Sequence, residues 1–261
     1  MILRDWLRSQ DLVCSLKHAL GVAIPGSILT FTTDTDAVGY AAGYDFAALS
    51  ECLDFMMPMI YSSCVKGDEA CEYTAGGASM STVAGLERLM AGYTKGFGVP
   101  PSKLAPTLNW FSYDFVCLAN ASAATFHNQY GCSTVDPPSG VPTPGYGHAQ
   151  MLASRSGASA PRLDNESGHV FFDYNGAVPP GAPEPRQVWV EGPVSTKLKY
   201  DWLAKGGFKG FGIWTAGATA AVDQYWWGGG CNGNTSQPTC PANASLTAKY
   251  ASEMWGVVSS K

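Results

Sequence analysis

Two patterns of hydrophobic and polar positions, one typical of helices and one typical of strands, alternate along this 261-residue chain. Apolar residues at helical spacing predict helices over residues 1–20, 46–52, 79–95, 195–205 and 244–258. Short apolar runs predict four principal strands over residues 27–33, 55–61, 104–113 and 208–214. The run at 55–61 is continuously apolar, which is typical of a parallel strand buried on both faces, although Pro58 argues against a central strand. Helices alternating with strands predict a parallel α/β fold.

A long irregular segment at 117–187 separates the third strand from the fourth helix. Its content of Pro, Gly, Ser and Ala is highest between residues 137 and 161, which is typical of a mobile loop. Only short strands are predicted within the segment, at 169–174 and 187–190. We therefore expect an insertion that carries little regular structure.

Composition and charge exclude several classes of protein. Hydrophobic residues make up 46% of the chain and charged residues 14%, which is typical of a globular protein with a large core. The net charge of −5 argues against a nucleic-acid partner, because such proteins present a basic surface. No apolar stretch approaches the roughly 20 residues of a membrane-spanning helix.

Cysteines and glycosylation sequons indicate an oxidising compartment. The chain has eight cysteines without a CxxC pair and four histidines without ligand spacing, so we expect neither a metal site nor a cofactor. Cys231 and Cys240 bracket a Gly/Asn/Pro loop that a disulfide would close, although spacing alone leaves connectivity open. A secreted or lysosomal location is favoured by these cysteines and by four Asn-x-Ser/Thr sequons, at Asn120, Asn165, Asn234 and Asn243.

The first 20 residues do not have the pattern of a signal peptide. Arg4, Asp5 and Arg8 interrupt the apolar residues that such a peptide would need in one run. We therefore expect the chain to begin partway through a larger protein.

Three segments together resemble glycoside hydrolase family 18, and within it the di-N-acetylchitobiase branch. They are DFMMPMIYSS at 54–63, PSKLAPTLNWFSYDFVC at 101–117 and QVWVEGPVSTKLKYDWLAKGGFKGFGIW at 187–214, and TAKYASEMWGVV at 247–258 resembles the last helix of that branch. The resemblance implies one domain over 1–261 that is a partial (β/α)₈ TIM barrel. Its predicted strands would be barrel strands 5–8, with the insertion between strands 7 and 8 and with strands 1–4 lacking.

The resemblance also implies a reaction and a missing group. The family hydrolyses β-1,4 links between N-acetylglucosamine units with retention, because the acetamido oxygen of the substrate attacks the anomeric carbon. Its general acid is the glutamate of a DxxDxDxE motif on strand four. Asp34-Thr35-Asp36 is the only Asp-x-Asp here and no suitably placed glutamate follows. We therefore expect a truncated, inactive chain.

The family motif M-x-Y-D matches Met59-Ile60-Tyr61-Ser62 except at its last place, where serine replaces aspartate. The resemblance implies that the Tyr61 hydroxyl donates a hydrogen bond to the acetamido oxygen and that Met59 contacts the sugar. Without the resemblance, the preferred interpretation of Tyr61 is an amphipathic tyrosine at a strand end with its hydroxyl in water.

Further site residues follow from the same resemblance. Trp214 would be the aromatic floor beneath the sugar, while Trp110 and Tyr113 would be wall residues; core packing is the alternative for each tryptophan. Cys117 and Cys132 match a pair of family cysteines. Asn109 stands where the family has proline.

Two further functions are compatible with this sequence. One is a non-catalytic, lectin-like protein that binds chitin oligosaccharides, which Ser62 favours. The other is a half-barrel that needs a partner, because its outer strands would have unpaired backbone edges. Such a chain is expected to aggregate or assemble.

Overall fold

A computed structural model describes residues 2–34, 44–61, 82–118, 126–127, 129–134, 145–176, 183–219 and 244–259. The helices are α1 (Ile2–Ala23), α2 (Phe46–Cys52), α3 (Val83–Ala91), α4 (Tyr146–Ala153), α5 (Pro193–Lys205) and α6 (Ala244–Ser259). The strands are β1 (Thr30–Thr33), β2 (Phe55–Ile60), β3 (Thr107–Asn109), β4 (Tyr113–Val116), β5 (Phe126–His127), β6 (Ser133–Thr134), β7 (Arg162–Leu163), β8 (Val170–Gly176), β9 (Glu184–Val190) and β10 (Gly212–Trp214).

Four strands form a parallel sheet with the order β1-β2-β3-β10. Thr30 lies beside Phe55 at the start of β1 and β2, and all three strand pairs run in the same direction. Pro58 lies beside Thr33, the last residue of β1, and does not prevent β2 from joining the sheet. The predicted parallel architecture is therefore present, with four strands in this sheet.

The two faces of the parallel sheet are covered unequally. Met56, Ile60 and Leu108 point to a core that helices α2 and α3 close with Phe46, Leu49, Leu86 and Met90. Along β2, buried residues on this side alternate with half-buried residues on the other. The expectation that residues 55–61 are buried on both faces is therefore wrong for β2, because helices cover only one face of this strand.

The predicted strand at 104–113 is two strands in different sheets. β3 pairs with β2 and β10, whereas β4 begins an antiparallel sheet with order β4-β9-β8-β7. Residues 110–112 connect the two sheets. Hydrophobicity runs across this junction without a break, which is why the pattern alone predicts a single strand.

The insertion contains more regular structure than its composition predicts. The strands β8 and β9 pair over seven residues each, and the rings of Phe171 and Trp189 stack across them with centroids 4.5 Å apart. A disulfide joins Cys117 and Cys132, as the resemblance implies. Helix α4 lies within the stretch expected to be a mobile loop, so that expectation is wrong for residues 146–153.

Helix α1 is joined to α2 by a disulfide and to the residue before β2 by an ion pair. Cys14 is bonded to Cys52, a pairing that sequence reasoning did not predict, and Lys17 Nζ lies 2.6 Å from an oxygen of Asp54. Leu12 and Leu16 of α1 remain exposed. The helices within the described ranges are all too short or too polar to cross a membrane.

Candidate functional site

The carboxyl ends of β2, β3 and β10 bring Tyr61, Asn109 and Trp214 to one level of the parallel sheet. Trp214 pairs with Asn109 in the register of β10 and β3. Ile60 pairs with Leu108, so the next residue, Tyr61, comes beside Asn109. Because neighbouring strands lie roughly 4.8 Å apart, the backbones of Tyr61 and Trp214 are about 10 Å apart. The two residues therefore lie on either side of Asn109.

These three side chains belong to the face of the sheet that the helices leave open. Residues in register on parallel strands point to the same face, and the face alternates along each strand. A Cβ atom at Gly212 would lie 2.8 Å from Thr107 Oγ1 and 3.0 Å from Met57 Cε, which shows that these positions share one face. Met59, Asn109 and Trp214 lie two residues beyond Met57, Thr107 and Gly212, and therefore point to the same face. Tyr61 lies two residues beyond Met59 and points to this face as well.

Trp214 has a fixed backbone and an accessible ring. Its carbonyl oxygen accepts a hydrogen bond of 2.8 Å from the Trp110 backbone N–H, and the peptide bond that follows it is cis. The side chain is 47% exposed. An exposed indole at the end of a strand offers an apolar surface on which a ligand can stack.

Tyr61 is half-buried, and its ring meets the ring of Phe111 edge-on with centroids 5.6 Å apart. Burial raises the pKa of the Tyr61 hydroxyl above its ordinary value of 10.0. The phenol is therefore protonated at neutral and acidic pH, where it can donate a hydrogen bond.

Tyr113 lies beside Tyr61 and contacts its backbone. The Tyr113 hydroxyl donates a hydrogen bond of 3.0 Å to the Tyr61 carbonyl oxygen, and its ring stacks on Phe115. Burial, together with the negative charge of Glu191, raises the pKa of Tyr113 well above its ordinary value. Tyr113 is therefore a permanent donor that holds the backbone of Tyr61 in place.

Asn109 is a polar residue of the site to which sequence reasoning assigned no role. It is fully buried, and its Nδ2 donates a hydrogen bond of 2.9 Å to the Phe111 carbonyl oxygen. Its Oδ1 atom has no hydrogen-bond partner among the described residues, and the same holds for Thr107 Oγ1. The sequence feature that could have indicated a role for this residue is its single amide side chain within the otherwise largely apolar run LAPTLNWF.

The structure does not bring Trp110 to this site. Its side chain is fully buried, points away from Asn109 and packs edge-to-face on Trp255, with ring centroids 4.8 Å apart. In this position a sugar cannot stack on the Trp110 ring. The expectation that Trp110 lines the site as a wall residue is therefore wrong for this structure, because successive residues of an extended chain alternate between faces.

A buried network of charges lies at the end of β9 and connects it to α5 and β8. One Glu191 oxygen lies 2.5 Å from Lys199 Nζ and 3.0 Å from His169 Nε2, while the other accepts hydrogen bonds from Ser195 and Thr196. Burial opposes ionisation of Glu191, but Lys199 and His169 outweigh it and lower its pKa to about 2. Burial lowers the pKa of His169 despite the attraction of Glu191.

Several predicted residues lie outside the described ranges, so the structure says nothing of them: Ser62, Cys231, Cys240, Asn120, Asn234 and Asn243. Asn165 is exposed in a turn, where its side chain is accessible. The part of the chain that the structure describes contains no group of three His, Cys, Asp or Glu residues suited to a metal ion.

Comparison with known proteins gives curated relatives and solved structures that are similar to this chain. No family model matches the chain. Di-N-acetylchitobiase from Rattus norvegicus is 25% identical over 201 residues, which are 74% of this chain and 51% of the rat protein. The chain thus spans about half the length of this curated relative.

Solved structures share the fold. A chitinase from Chromobacterium violaceum matches 80% of this chain and 56% of its own length, with a TM-score of 0.55 and 19% identity. The Group IV chitinase of Ostrinia furnacalis in complex with allosamidin matches 97% of this chain and 63% of its own, with a TM-score of 0.59 and 14% identity. The similarity to di-N-acetylchitobiase supports the chitobiase-like resemblance that residues 54–63, 101–117 and 187–214 carry. The solved structures show that the fold is shared.

Proposed function

We propose that this chain carries the sugar-binding part of a chitobiase- or chitinase-like glycoside hydrolase that acts on β-1,4-linked N-acetylglucosamine oligosaccharides. The observation that supports the proposal most directly is that Tyr61 and Trp214 lie in register on either side of Asn109, at the carboxyl ends of β2 and β10. In parallel α/β folds, ligands bind outside the carboxyl ends of the strands. The apolar face of a sugar would stack on the exposed indole of Trp214.

The parallel sheet would be strands 5–8 of a (β/α)₈ barrel. Its strand order follows the chain, all pairs are parallel, and helices cover one face while the other is only half-buried along β2. The antiparallel sheet and α4 would be the insertion that follows barrel strand 7. The half-buried face would line the barrel interior, with Met59 and Trp214 on it.

The chemistry proposed for this site is orientation of the substrate. In substrate-assisted hydrolysis the acetamido oxygen is the nucleophile, so the protein must hold this group against the anomeric carbon. The Tyr61 hydroxyl, which stays protonated, would donate a hydrogen bond to that oxygen. Tyr113 would keep Tyr61 in place through the carbonyl contact.

Proton donation to the leaving oxygen is the step for which the described residues of this site offer no candidate. The sequence has no DxxDxDxE motif. Glu191 cannot substitute, because its carboxylate is paired with Lys199 and its pKa of about 2 keeps it ionised near neutral pH. We therefore propose that the chain binds the oligosaccharide without cleaving it.

Two assays on the 261-residue chain test this proposal. Tryptophan fluorescence should change on titration with tetra-N-acetylchitotetraose, and the chain should release no N-acetylglucosamine from chitobiose. Turnover that survives purification through several columns would contradict the absence of an acid. Failure to bind the tetramer at millimolar concentration would remove the sugar-binding proposal itself.

A lectin-like, non-catalytic protein is the second candidate. Ser62 supports it, because serine lacks the charge of the aspartate expected after Tyr61. A polypeptide that also carries barrel strands 1–4 and binds chitotetraose but releases no N-acetylglucosamine would favour the lectin. If such a polypeptide hydrolyses chitobiose, Tyr61→Phe should slow turnover strongly.

A secreted or lysosomal location is also proposed. The disulfides Cys14–Cys52 and Cys117–Cys132 form readily only in an oxidising compartment. Asn165 is exposed and could carry a glycan. Expression in a secretory cell line, followed by enzymatic removal of N-glycans, should shift the mass of the chain, and Asn165→Gln should reduce that shift.

A further inference from the structure

Asn109 presents a hydrogen-bond acceptor that nothing in the described structure satisfies. The amide orientation is determined by the Phe111 carbonyl oxygen, which requires a donor and therefore faces Nδ2. Oδ1 is then the free end of the side chain, and it is fully buried without a partner among the described residues. Native proteins leave few buried polar atoms unpaired, and such atoms often mark a site that a ligand or a water completes.

The unpaired acceptor is not isolated. Thr107 Oγ1 lies two residues earlier on the same face of β3, and Thr215 Oγ1 follows Trp214; both are buried without described partners. Asn109 ends β3 and Thr215 follows the last residue of β10, whereas Thr107 begins β3, one layer deeper on the face of Asn109. The unpaired acceptor of Asn109 is the one in register with Trp214, so it is the one that a ligand at the carboxyl ends of the strands would meet.

Asn109 lies between a fixed donor and a stacking surface. The register of β2 with β3 brings Tyr61 to one side, and the register of β10 with β3 brings Trp214 to the other. Tyr61 is a protonated donor held by Tyr113. A group that accepts one hydrogen bond and donates another therefore matches Tyr61 and Asn109 together, and an acetamido group does both through its carbonyl oxygen and its N–H.

We propose that Asn109 is a specificity-determining residue whose Oδ1 accepts a hydrogen bond from the acetamido N–H of a sugar stacked on Trp214. This inference rests on the proposed sugar-binding function and specifies which group of the sugar the site reads. A site that offers a buried acceptor discriminates against analogues that lack the donor, because the acceptor then stays unpaired. The site should accordingly prefer N-acetylated oligosaccharides to glucose oligosaccharides of equal length.

The experiment compares two ligands on matched variants of the full 261-residue chain. Tetra-N-acetylchitotetraose and cellotetraose are titrated calorimetrically against the wild type, Asn109→Leu, Asn109→Ala and the control Thr32→Val. Leucine and alanine both remove the acceptor, and they differ in volume, so the two variants separate the lost hydrogen bond from altered packing. Thr32 is an exposed residue on the same sheet face, in β1. Near-ultraviolet circular dichroism establishes that each variant is folded.

We expect both Asn109 variants to bind the N-acetylated tetramer about tenfold more weakly, which corresponds to one lost hydrogen bond. Cellotetraose affinity should stay the same, so the preference for the acetamido group should fall selectively, and Thr32→Val should change neither ligand. An unchanged preference in both Asn109 variants would overturn the inference and leave the sugar-binding proposal standing, with Oδ1 holding only a water. Binding of neither tetramer by the folded wild type would overturn both.

Discussion

The hydroxyl of Tyr113 donates a 3.0 Å hydrogen bond to the backbone carbonyl oxygen of Tyr61. This bond joins the first residue of β4, in the antiparallel sheet, to the residue that follows β2 in the parallel sheet. Tyr61 lies just beyond the strand ladder, where its backbone depends on such a contact for its position. The antiparallel sheet thus contributes a contact that helps to position a residue of the proposed site.

Replacing Tyr113 with phenylalanine should destabilise the chain by about 1 kcal/mol, because a half-buried carbonyl oxygen loses its donor. Sugar affinity should fall as well, since Tyr61 would be held less firmly. Urea denaturation and chitotetraose titration measure the two effects. Tyr44→Phe is the control, because the Tyr44 ring packs on Phe31 and Phe46 and its hydroxyl bonds to no described residue. Equal behaviour of both variants would mean that the Tyr113 hydroxyl has no positioning role.

Trp214→Ala should weaken binding of chitotetraose at least tenfold, since the proposed stacking surface disappears. The free energy of unfolding should change little, because the indole is 47% exposed. Trp255→Ala is a matched control, as Trp255 is 43% exposed but lies on α6. A similar loss of affinity in both variants would argue against a local site at Trp214.

Glu191→Gln should destabilise the chain by roughly 3–5 kcal/mol, because it leaves the buried ammonium of Lys199 without a counter-charge. The control lies on α5 itself: Asp201→Asn breaks an exposed ion pair with Lys197 and should cost less than about 1 kcal/mol. Chemical denaturation of both variants provides the comparison. A loss of only about 1 kcal/mol for Glu191→Gln would show that the network adds little to stability.

Acidification should reduce the stability of the chain through the same network. The pKa of Glu191 falls from 4.5 to about 2 on folding, so its contribution is complete above pH 4.5 and is lost as pH falls towards 2. The pKa of His169 is also lowered on folding, from 6.5, so the unfolded state binds protons first and stability begins to fall below pH 6.5. Thermal melts between pH 7 and pH 3 should show a decreasing midpoint. In His169→Asn, the decrease between pH 7 and pH 5 should be smaller.

The isolated chain should self-associate. Its exposed large hydrophobic residues near the β1 edge of the sheet are Leu12, Leu16, Val22, Ile24 and Ile28. β1 pairs with β2 on one side and with no other described strand. Exposed apolar surface beside an open strand edge promotes assembly. Sedimentation velocity should detect dimers or larger species. The double variant Leu16→Lys/Ile28→Lys should shift the population towards monomer. A wild-type chain that stays monomeric at a concentration on the order of 50 μM would contradict this prediction.

Local periodicity located the helices outside the insertion, but it missed α4 and did not resolve every strand. Residues 46–52 form the predicted helix, and 55–61 and 208–214 each contain a strand of the parallel sheet. The run at 104–113 fails because β3 and β4 are equally apolar and only their partners differ. Within the insertion, the predicted strands at 169–174 and 187–190 are confirmed as parts of β8 and β9, but α4 was not predicted. The extent of pairing between β8 and β9 was underestimated, because cross-strand contacts such as that of Phe171 with Trp189 stabilise it and composition does not report them.

From sequence alone, the order of the helices and parallel strands outside the insertion, the parallel architecture and the position of Tyr61 and Trp214 at strand ends could be derived, because they depend on periodicity within short segments and on motifs that resemble a family. Only the tertiary structure decided that Trp110 is buried while Trp214 is exposed, that Glu191 is paired with Lys199, and that Asn109 Oδ1 lacks a partner. These properties arise from packing between segments far apart in the chain. The Tyr113–Tyr61 bond, which spans 52 positions, is one such contact that no local pattern encodes.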